Sequence, residues 1–308
     1  MKKKLALKVI GLIFGLVFLV ILGVAAYWIN DIRTTANNMY TPLENREGSS
    51  PLREKAVAEG EPLSILLAGV DHTPGREEDV VGRSDTIVLM TLNPAEGTTK
   101  MLSIPRDTRT EIVGRGTTEK INHAHAYGDA QMLIDTVENA FDIPIDHYAS
   151  INMEGFTRLI NAFGGVNVYN DLSFSMNGTQ FNEGNIHLNG EDALLYSRMR
   201  YEDPRGDAGR ANRQRDIIEA LMDEAASLSS ITKAGEILDV LDTTVRTDLS
   251  LGDMWSYQSD YRAALNEIEQ IEISYTGQTI DSLWYAIVAD EEKARVRNEM
   301  RSHLELDV

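Results

Sequence analysis

The chain changes its hydrophobic rhythm along its length. Residues 9–29, VIGLIFGLVFLVILGVAAYWI, form an apolar run with no charged position. At about 1.5 Å per helical residue such a run crosses a hydrocarbon core of roughly 30 Å. Tyr27 and Trp28 stand where an interfacial aromatic belt belongs, and Lys2, Lys3, Lys4 and Lys8 put the N-terminus on the cytoplasmic side. Val24, Ala25 and Ala26 offer small residues to a signal peptidase, but the run exceeds the roughly 7–15 residues of a cleaved signal core. The pattern predicts a cytoplasmic tail over 1–8 and a transmembrane signal-anchor over 9–29. The protein is then a single-pass type II protein of the cell membrane, extracellular from residue 30 onward. Residues 30–60 keep no apolar period, contain Pro42, Pro51 and the run Glu47-Gly48-Ser49-Ser50, and read as an extracellular linker that begins in part as helix.

From residue 61 short apolar runs alternate with helical spacing. LSILLAGVD (63–71), DTIVLMTLN (85–93) and KMLSIPRD (100–107) read as strands, the last two separated by the turn signal NPAEG. A helix is predicted around 125–141, where Met132, Leu133 and Val137 recur at helical spacing. HYASIN (147–152) reads as a strand and MEGFTRLINAF (153–163) as a helix ended by Gly164 and Gly165, with a strand at VNVYN. Asn177-Gly178 is a hairpin signal between FSM and TQF. GEDALLYS (190–197) and a long stretch from about Ala211 to Leu228 are helical, and two or three further helices follow. Strands are expected at IEISY (271–275) and LWYAIV (283–288), with a last amphipathic helix from Glu291. Trp255, Trp284 and the tyrosines near them are expected to serve the core. Strands alternating with helices predict an α/β/α sandwich over 61–308.

Composition narrows the chemistry. There are no cysteines, which excludes a disulfide framework and a thiolate metal site. The formal net charge is −19, and the only charged residues before position 30 are the four lysines, so the remainder is more acidic still. Such a surface disfavours nucleic acid and anionic lipid as general partners. Against it, RMRYEDPRGDAGRANRQR (198–215) carries six arginines and no lysine.

Polar residues fall at strand ends: Asp71 after LLAGV, Arg106 and Asp107 after LSIP, and Arg83-Ser84-Asp85 before TIVLM. Ligands of open α/β sheets bind in crevices at such ends. Taken singly, an Asp after a strand serves equally as a turn or cap residue, and Arg83 with Asp85 as a surface ion pair of small value. In an extended segment Arg198 and Arg200 share a side. In the helix that follows, Arg210, Arg213 and Gln214 share a face. A salt-bridge lattice with Glu202, Asp203 and Asp207 is the alternative. The use of Arg throughout favours a phosphate ligand, because guanidinium pairs bidentately and stays charged. Carboxylates with arginines also compose a Mg²⁺–pyrophosphate site, and no Walker or dinucleotide glycine pattern is present. Outside the membrane ATP is scarce, so a lipid-linked pyrophosphate that carries its own anhydride fits best. His123 and His125 lack a clear third zinc ligand nearby and suit helix entry and packing.

GRSDTIVLMTLNP, LSIPRDT, KINHAHAYGD and HLNGEDALLYSRMRYEDPRGDAGRANRQR occur in order between about residues 63 and 218. Together they resemble the LytR–CpsA–Psr family of bacterial cell-wall enzymes, with a looser likeness at ITKAGEIL and DMWSYQSDY. The likeness is nearest the branch that transfers teichoic acid from a polyisoprenyl carrier to peptidoglycan. The resemblance implies that 61–308 is an extracellular catalytic domain with a C-terminal extension. Its fold would be a three-layer α/β/α sandwich around a mixed central sheet, with an apolar groove for a polyprenyl chain. By motif position Asp71 and Asp85 would hold Mg²⁺. Arg83, Arg106, Arg198, Arg200 and Gln214 would bind pyrophosphate, joined by Arg210 and Arg213. Asp85, Arg198 and Arg200 would also act in catalysis, and Asp207 would activate the acceptor hydroxyl. Asp107 and Lys120 match further family positions. The implied reaction moves a glycopolymer from a polyprenyl-pyrophosphate lipid to a peptidoglycan sugar hydroxyl, forming a phosphodiester. Two other classes share these features: a lipid carrier or pyrophosphatase using the same pocket, and a cell-envelope transcriptional attenuator, which the acidic exterior disfavours.

Overall fold

The computed structural model describes residues 30–44, 46, 49–71, 81–227 and 231–308; the apolar run over 9–29 lies outside them. Among the described residues no helix is long and apolar enough to cross a membrane. Helix α1 (residues 30–39) leads into the domain. Strands β1 (Leu63–Asp71), β2 (Arg83–Asn93) and β3 (Thr98–Ser103) form an antiparallel meander. The small hairpin of β4 (Arg109–Ile112) and β5 (Thr117–Lys120) follows, then α2 (His123–Phe141). The next strand, β6 (His147–Asn152), runs parallel to β1. Asn152 then caps α3 (Met153–Phe163) by accepting from the Gly155 amide at 2.7 Å, and Gly164 ends that helix in the left-handed region.

A lobe beside the sheet pairs β7 (Val166–Asn170) with β10 (Gly184–Leu188) around the hairpin β8 (Phe174–Met176) and β9 (Thr179–Phe181). Asn177 and Gly178 both take positive φ there, as a two-residue hairpin turn requires. Asn189 caps α4 (Gly190–Arg198), and the arginine stretch leads into α5 (Asp207–Ser227). The chain continues through α6 (Ile231–Thr244), β11 (Val245–Thr247) and α7 (Leu251–Asp260), the last begun by a capping box of Ser250 and Asp253. Strand β12 (Glu267–Ile271), the hairpin β13 (Thr276–Ile280) and β14 (Leu283–Ile287), and α8 (Asp290–His303) complete it.

The main sheet is mixed, in the order β11-β6-β1-β2-β3-β12. Side chains from alternate positions divide between its faces. Leu66, Ala68, Ile87 and Leu89 join α2 and α8 on one side, whereas Leu63, Val88, Met90 and Leu92 join α5 and α7 on the other. A layer of helix thus covers each face.

Three sequence expectations need correction. Residues 30–60 do not form a free tether. Ala36 and Met39 are buried, Arg46 pairs with Asp135 at 2.9 Å and also with Glu138, and Arg53 pairs with Asp146 at 2.7 Å. The segment is held by ion pairs as well as apolar contacts, so it carries no apolar period. The strand expected at 271–275 lies instead at Glu267–Ile271, because its parallel partner β3 ends at Ser103 and nothing remains to pair with the later residues. Trp255 and Trp284 are not core residues: they are 75% and 40% exposed.

Candidate active site

The ends of β1 and β2 begin the site. Along that pair Gly69 aligns with Thr86 and Val70 with Ser84, so the register skips Asp85. This bulge frees Asp85 from the strand's alternation and turns its carboxylate into the crevice. Arg83 takes the register position opposite Asp71. Gly82, at φ +91°, allows the chain to enter β2 where a Cβ would stand 2.8 Å from the Asp71 carbonyl oxygen. His125 is buried and fixes the same loop through Nδ1 at 2.9 Å from the Gly82 carbonyl. Its imidazole is pushed below its usual pKa by burial, and among the described residues no cluster of metal-ligating side chains accompanies either histidine.

Asp71, Asp85, Arg106, Arg198, Arg200, Arg210 and Gln214 line one cavity of about 630 Å³, within the roughly 300–1,000 Å³ usual for ligand pockets. Several of these polar groups touch one another or a shared carboxylate. Arg106 Nη1 donates to Asp85 Oδ2 at 2.7 Å, and Asn122 Nδ2 donates to Asp85 Oδ1 at 3.3 Å. Asp207 lies 3.0 Å from Arg210 and 3.6 Å from Arg200. Burial pushes the Arg210 guanidinium below its usual value; Asp207 opposes this, while the neighbouring charges of Arg106 and Arg200 add to it. For Arg200 burial acts downward too, but Asp207 and Tyr201 outweigh it and the net shift is upward. A crowded, partly desolvated set of guanidiniums is short of negative charge, and a dianionic ligand would supply it.

Most of the remaining wall is apolar. Leu67, Ala149 and Ile151 contribute from the sheet, Phe156 and Leu159 from α3, Ile218 and Met222 from α5, Leu241 from α6 and Val245 from β11. A hydrocarbon chain would gain about 0.8 kcal/mol per buried methylene against such a wall.

Several expected members stand elsewhere. Arg213 does not line this cavity: it is 1% exposed, donates to Asp203 Oδ2 at 2.7 Å and to the Met199 carbonyl at 2.6 Å, and staples the arginine loop from beneath. Arg210 and Gln214, one helical turn apart, face the cavity while Arg213 turns inward. Arg198 and Arg200 both reach the cavity, yet Arg198 does so from the last turn of α4 and not from an extended segment. Lys120 pairs with Asp107 at 2.6 Å. Asp107 and Asp207 line a second, smaller cavity that adjoins the first. Tyr275 lines it too; burial, and next the Asp207 carboxylate, push its phenol upward. Two contributors escaped the sequence reading: Asn122, which lay inside a quoted motif, and Tyr201, which lines the cavity beside Arg200 although it is 90% exposed.

Comparison with known proteins matches residues 26–302 to the LytR_cpsA_psr family. A protein of Halalkalibacterium halodurans named polyisoprenyl-teichoic acid–peptidoglycan teichoic acid transferase TagU is 55% identical over 306 residues, covering 98% of this chain and 99% of its own. The crystal structure of Bacillus subtilis TagU is 40% identical and superposes with a TM-score of 0.65, covering 80% of this chain and 99% of that one. A structure described as TagT bound to LI-WTA gives 29% identity and a TM-score of 0.72 over 87% of this chain and all of that one. By family match and identity over nearly its whole length, the chain belongs to the LytR–CpsA–Psr family.

Proposed function

We propose that the protein is a polyisoprenyl-teichoic acid–peptidoglycan teichoic acid transferase, anchored by residues 9–29 with its catalytic domain outside the cell membrane. The observation that carries this reading is the pairing of a largely apolar cavity of about 630 Å³ with a cluster of arginines and carboxylates on its wall. An apolar chain ending in pyrophosphate is the ligand complementary to both. The path of the chain supports a membrane-borne donor: Tyr40, just after α1, bridges to Thr247 of β11, and Val245 of the same strand lines the apolar cavity.

In the proposed reaction a peptidoglycan sugar hydroxyl attacks the sugar-side phosphorus of the lipid-linked polymer. The new P–O bond forms as the P–O bond to prenyl phosphate breaks, and polyprenyl phosphate leaves into the apolar cavity. Asp207 takes the hydroxyl proton. Arg106, Arg198, Arg200 and Arg210, with Gln214, hold the phosphate oxygens, each charge-assisted hydrogen bond contributing about 1.5–3 kcal/mol. Arg83, opposite Asp71 at the end of the strand pair, is a pyrophosphate ligand by motif position, and Asp107 with Lys120 braces the segment that bears Arg106.

The residues suit Mg²⁺ at Asp71 and Asp85. Both are hard oxygen donors lining one cavity, and Asn122 Oδ1 is buried without a hydrogen-bond partner among the described residues while its amide nitrogen donates to Asp85. When bound, the ion would neutralise charge on the transferred phosphoryl group.

The test uses the full-length protein with a polyprenyl-pyrophosphate glycolipid, Mg²⁺ and peptidoglycan fragments. Labelled glycan should form with wild type and be lost in Asp85→Ala and Arg198→Ala. Lipid bound tightly without turnover would replace the reading with a carrier. Release of free polymer phosphate would replace it with a pyrophosphatase.

A further inference from the structure

Next to the phosphate-binding groups lies the second cavity, of about 70 Å³. It shares Asp85, Arg106, Arg210 and Gln214 with the first, so the two meet at those groups. Their remaining walls lie toward opposite edges of the sheet. The apolar cavity spreads over β1, β6 and β11, whereas the second is built from the ends of β2 and β3 and from Glu272 and Tyr275 after β12. Asp207 lines the second cavity and is absent from the first.

The second cavity also has an aromatic wall. Trp284 of β14 is 40% exposed and meets Tyr275 edge to face, with ring centroids 6.3 Å apart at 84°. A Cβ at Gly277 would stand 2.9 Å from the indole Nε1, so the glycine leaves the ring its seat. The hairpin bearing Trp284 is pinned to the strand-end segment of the site: the Ala286 amide donates to the Asp107 carbonyl at 3.0 Å. Ser103 also lines the cavity, and its buried Oγ has no hydrogen-bond partner among the described residues.

Given the transferase reading above, we infer that this cavity is the acceptor subsite, which seats a sugar of the peptidoglycan strand against Trp284 with its hydroxyl edge toward Asp207. A pyranose presents an apolar C–H face and a rim of hydroxyls. An exposed indole beside carboxylates matches both. In-line displacement brings the nucleophile in opposite the leaving group. With prenyl phosphate departing into the apolar cavity, the acceptor enters from the other side of the shared cluster, where this cavity lies. A space of about 70 Å³ admits one edge of a ring, as a sugar within a long glycan strand would require.

The experiment measures the full-length protein in two ways: transfer kinetics with donor lipid and peptidoglycan fragments varied separately, and direct binding of the fragments alone by calorimetry. Trp284→Ala should raise the half-saturating fragment concentration at least tenfold and weaken fragment binding similarly. The half-saturating donor concentration should stay within twofold. Trp284→Phe should restore most of the loss, and Trp255→Ala should change nothing. An unchanged acceptor response in Trp284→Ala, or a rise in the donor's half-saturation instead, overturns the subsite while leaving the transferase reading intact. Fragment binding that depends on Trp284 in a wild-type protein without transfer would keep the saccharide subsite and overturn the transferase reading.

Discussion

Arg213→Met separates a structural arginine from its ligand-binding neighbours on one helix. Wild-type Arg213 is buried, with one terminal nitrogen on Asp203 and the other on the Met199 carbonyl, and its guanidinium lies 5.6 Å from the Phe174 ring. Removing one partner of a buried pair typically costs about 3–5 kcal/mol because the other charge stays behind. Asp203 retains Arg205, which reaches its two oxygens at 3.0 and 2.9 Å, so the expected loss is near the lower limit, about 3 kcal/mol. For a domain of this size that corresponds to a Tm lower by about 6–12 °C. The assay is thermal and denaturant unfolding alongside binding of the lipid pyrophosphate to the folded fraction. Arg210→Met is the control. It removes a desolvated charge crowded by Arg106 and Arg200, and Asp207 keeps Arg200 nearby at 3.6 Å, so the stability loss should be smaller than for Arg213→Met while lipid-pyrophosphate affinity falls at least tenfold. A stable Arg213→Met that loses binding as fully as Arg210→Met would refute the assignment and return Arg213 to the phosphate site.

The same pair gives a pH prediction. Asp203 is surrounded by Arg205 and Arg213, which outweigh its burial and hold its carboxyl well below the usual carboxylate range. Its stabilising contribution is therefore complete above its unfolded value of about 3.9 and is lost as pH falls toward the folded one. The stability gap between wild type and Arg213→Met, read from urea titrations, should be full at pH 7 and shrink below about pH 4; a gap that widens on acidification would contradict it. Ala149→Phe, on the cavity floor, should weaken long-chain prenyl donors at least tenfold and short-chain ones much less, as measured by competition binding; equal loss for both would deny the cavity its lipid. Asp71→Asn should raise the Mg²⁺ concentration needed for half-maximal transfer by an order of magnitude with little change in lipid binding without the ion, and an unchanged Mg²⁺ curve would remove Asp71 from the metal site.

What the chain disclosed in advance follows from the range of the forces involved. Strands, helices and the Asn177-Gly178 turn are decided by near neighbours, and they stand close to where periodicity put them. Asp85 shows where that reading stops. Strand alternation would have set Arg83 and Asp85 side by side, but a bulge, fixed by how β1 and β2 align across a turn, gives Asp85 to the crevice alone. Arg213 shows the same limit on a helix. Spacing of three or four residues marks a shared face, but it cannot distinguish the position that meets solvent or ligand from one that meets a buried carboxylate ten residues earlier in the chain. The tryptophans complete the case. A large aromatic is assigned to the core by its apolar area, yet on β14 it is the neighbouring Tyr285 and Ala286 that are buried while Trp284 stays 40% exposed, a division set by how the β13–β14 hairpin docks rather than by residue type. Its retention at the rim of a charged cleft is what makes a sugar-facing role for it physically coherent.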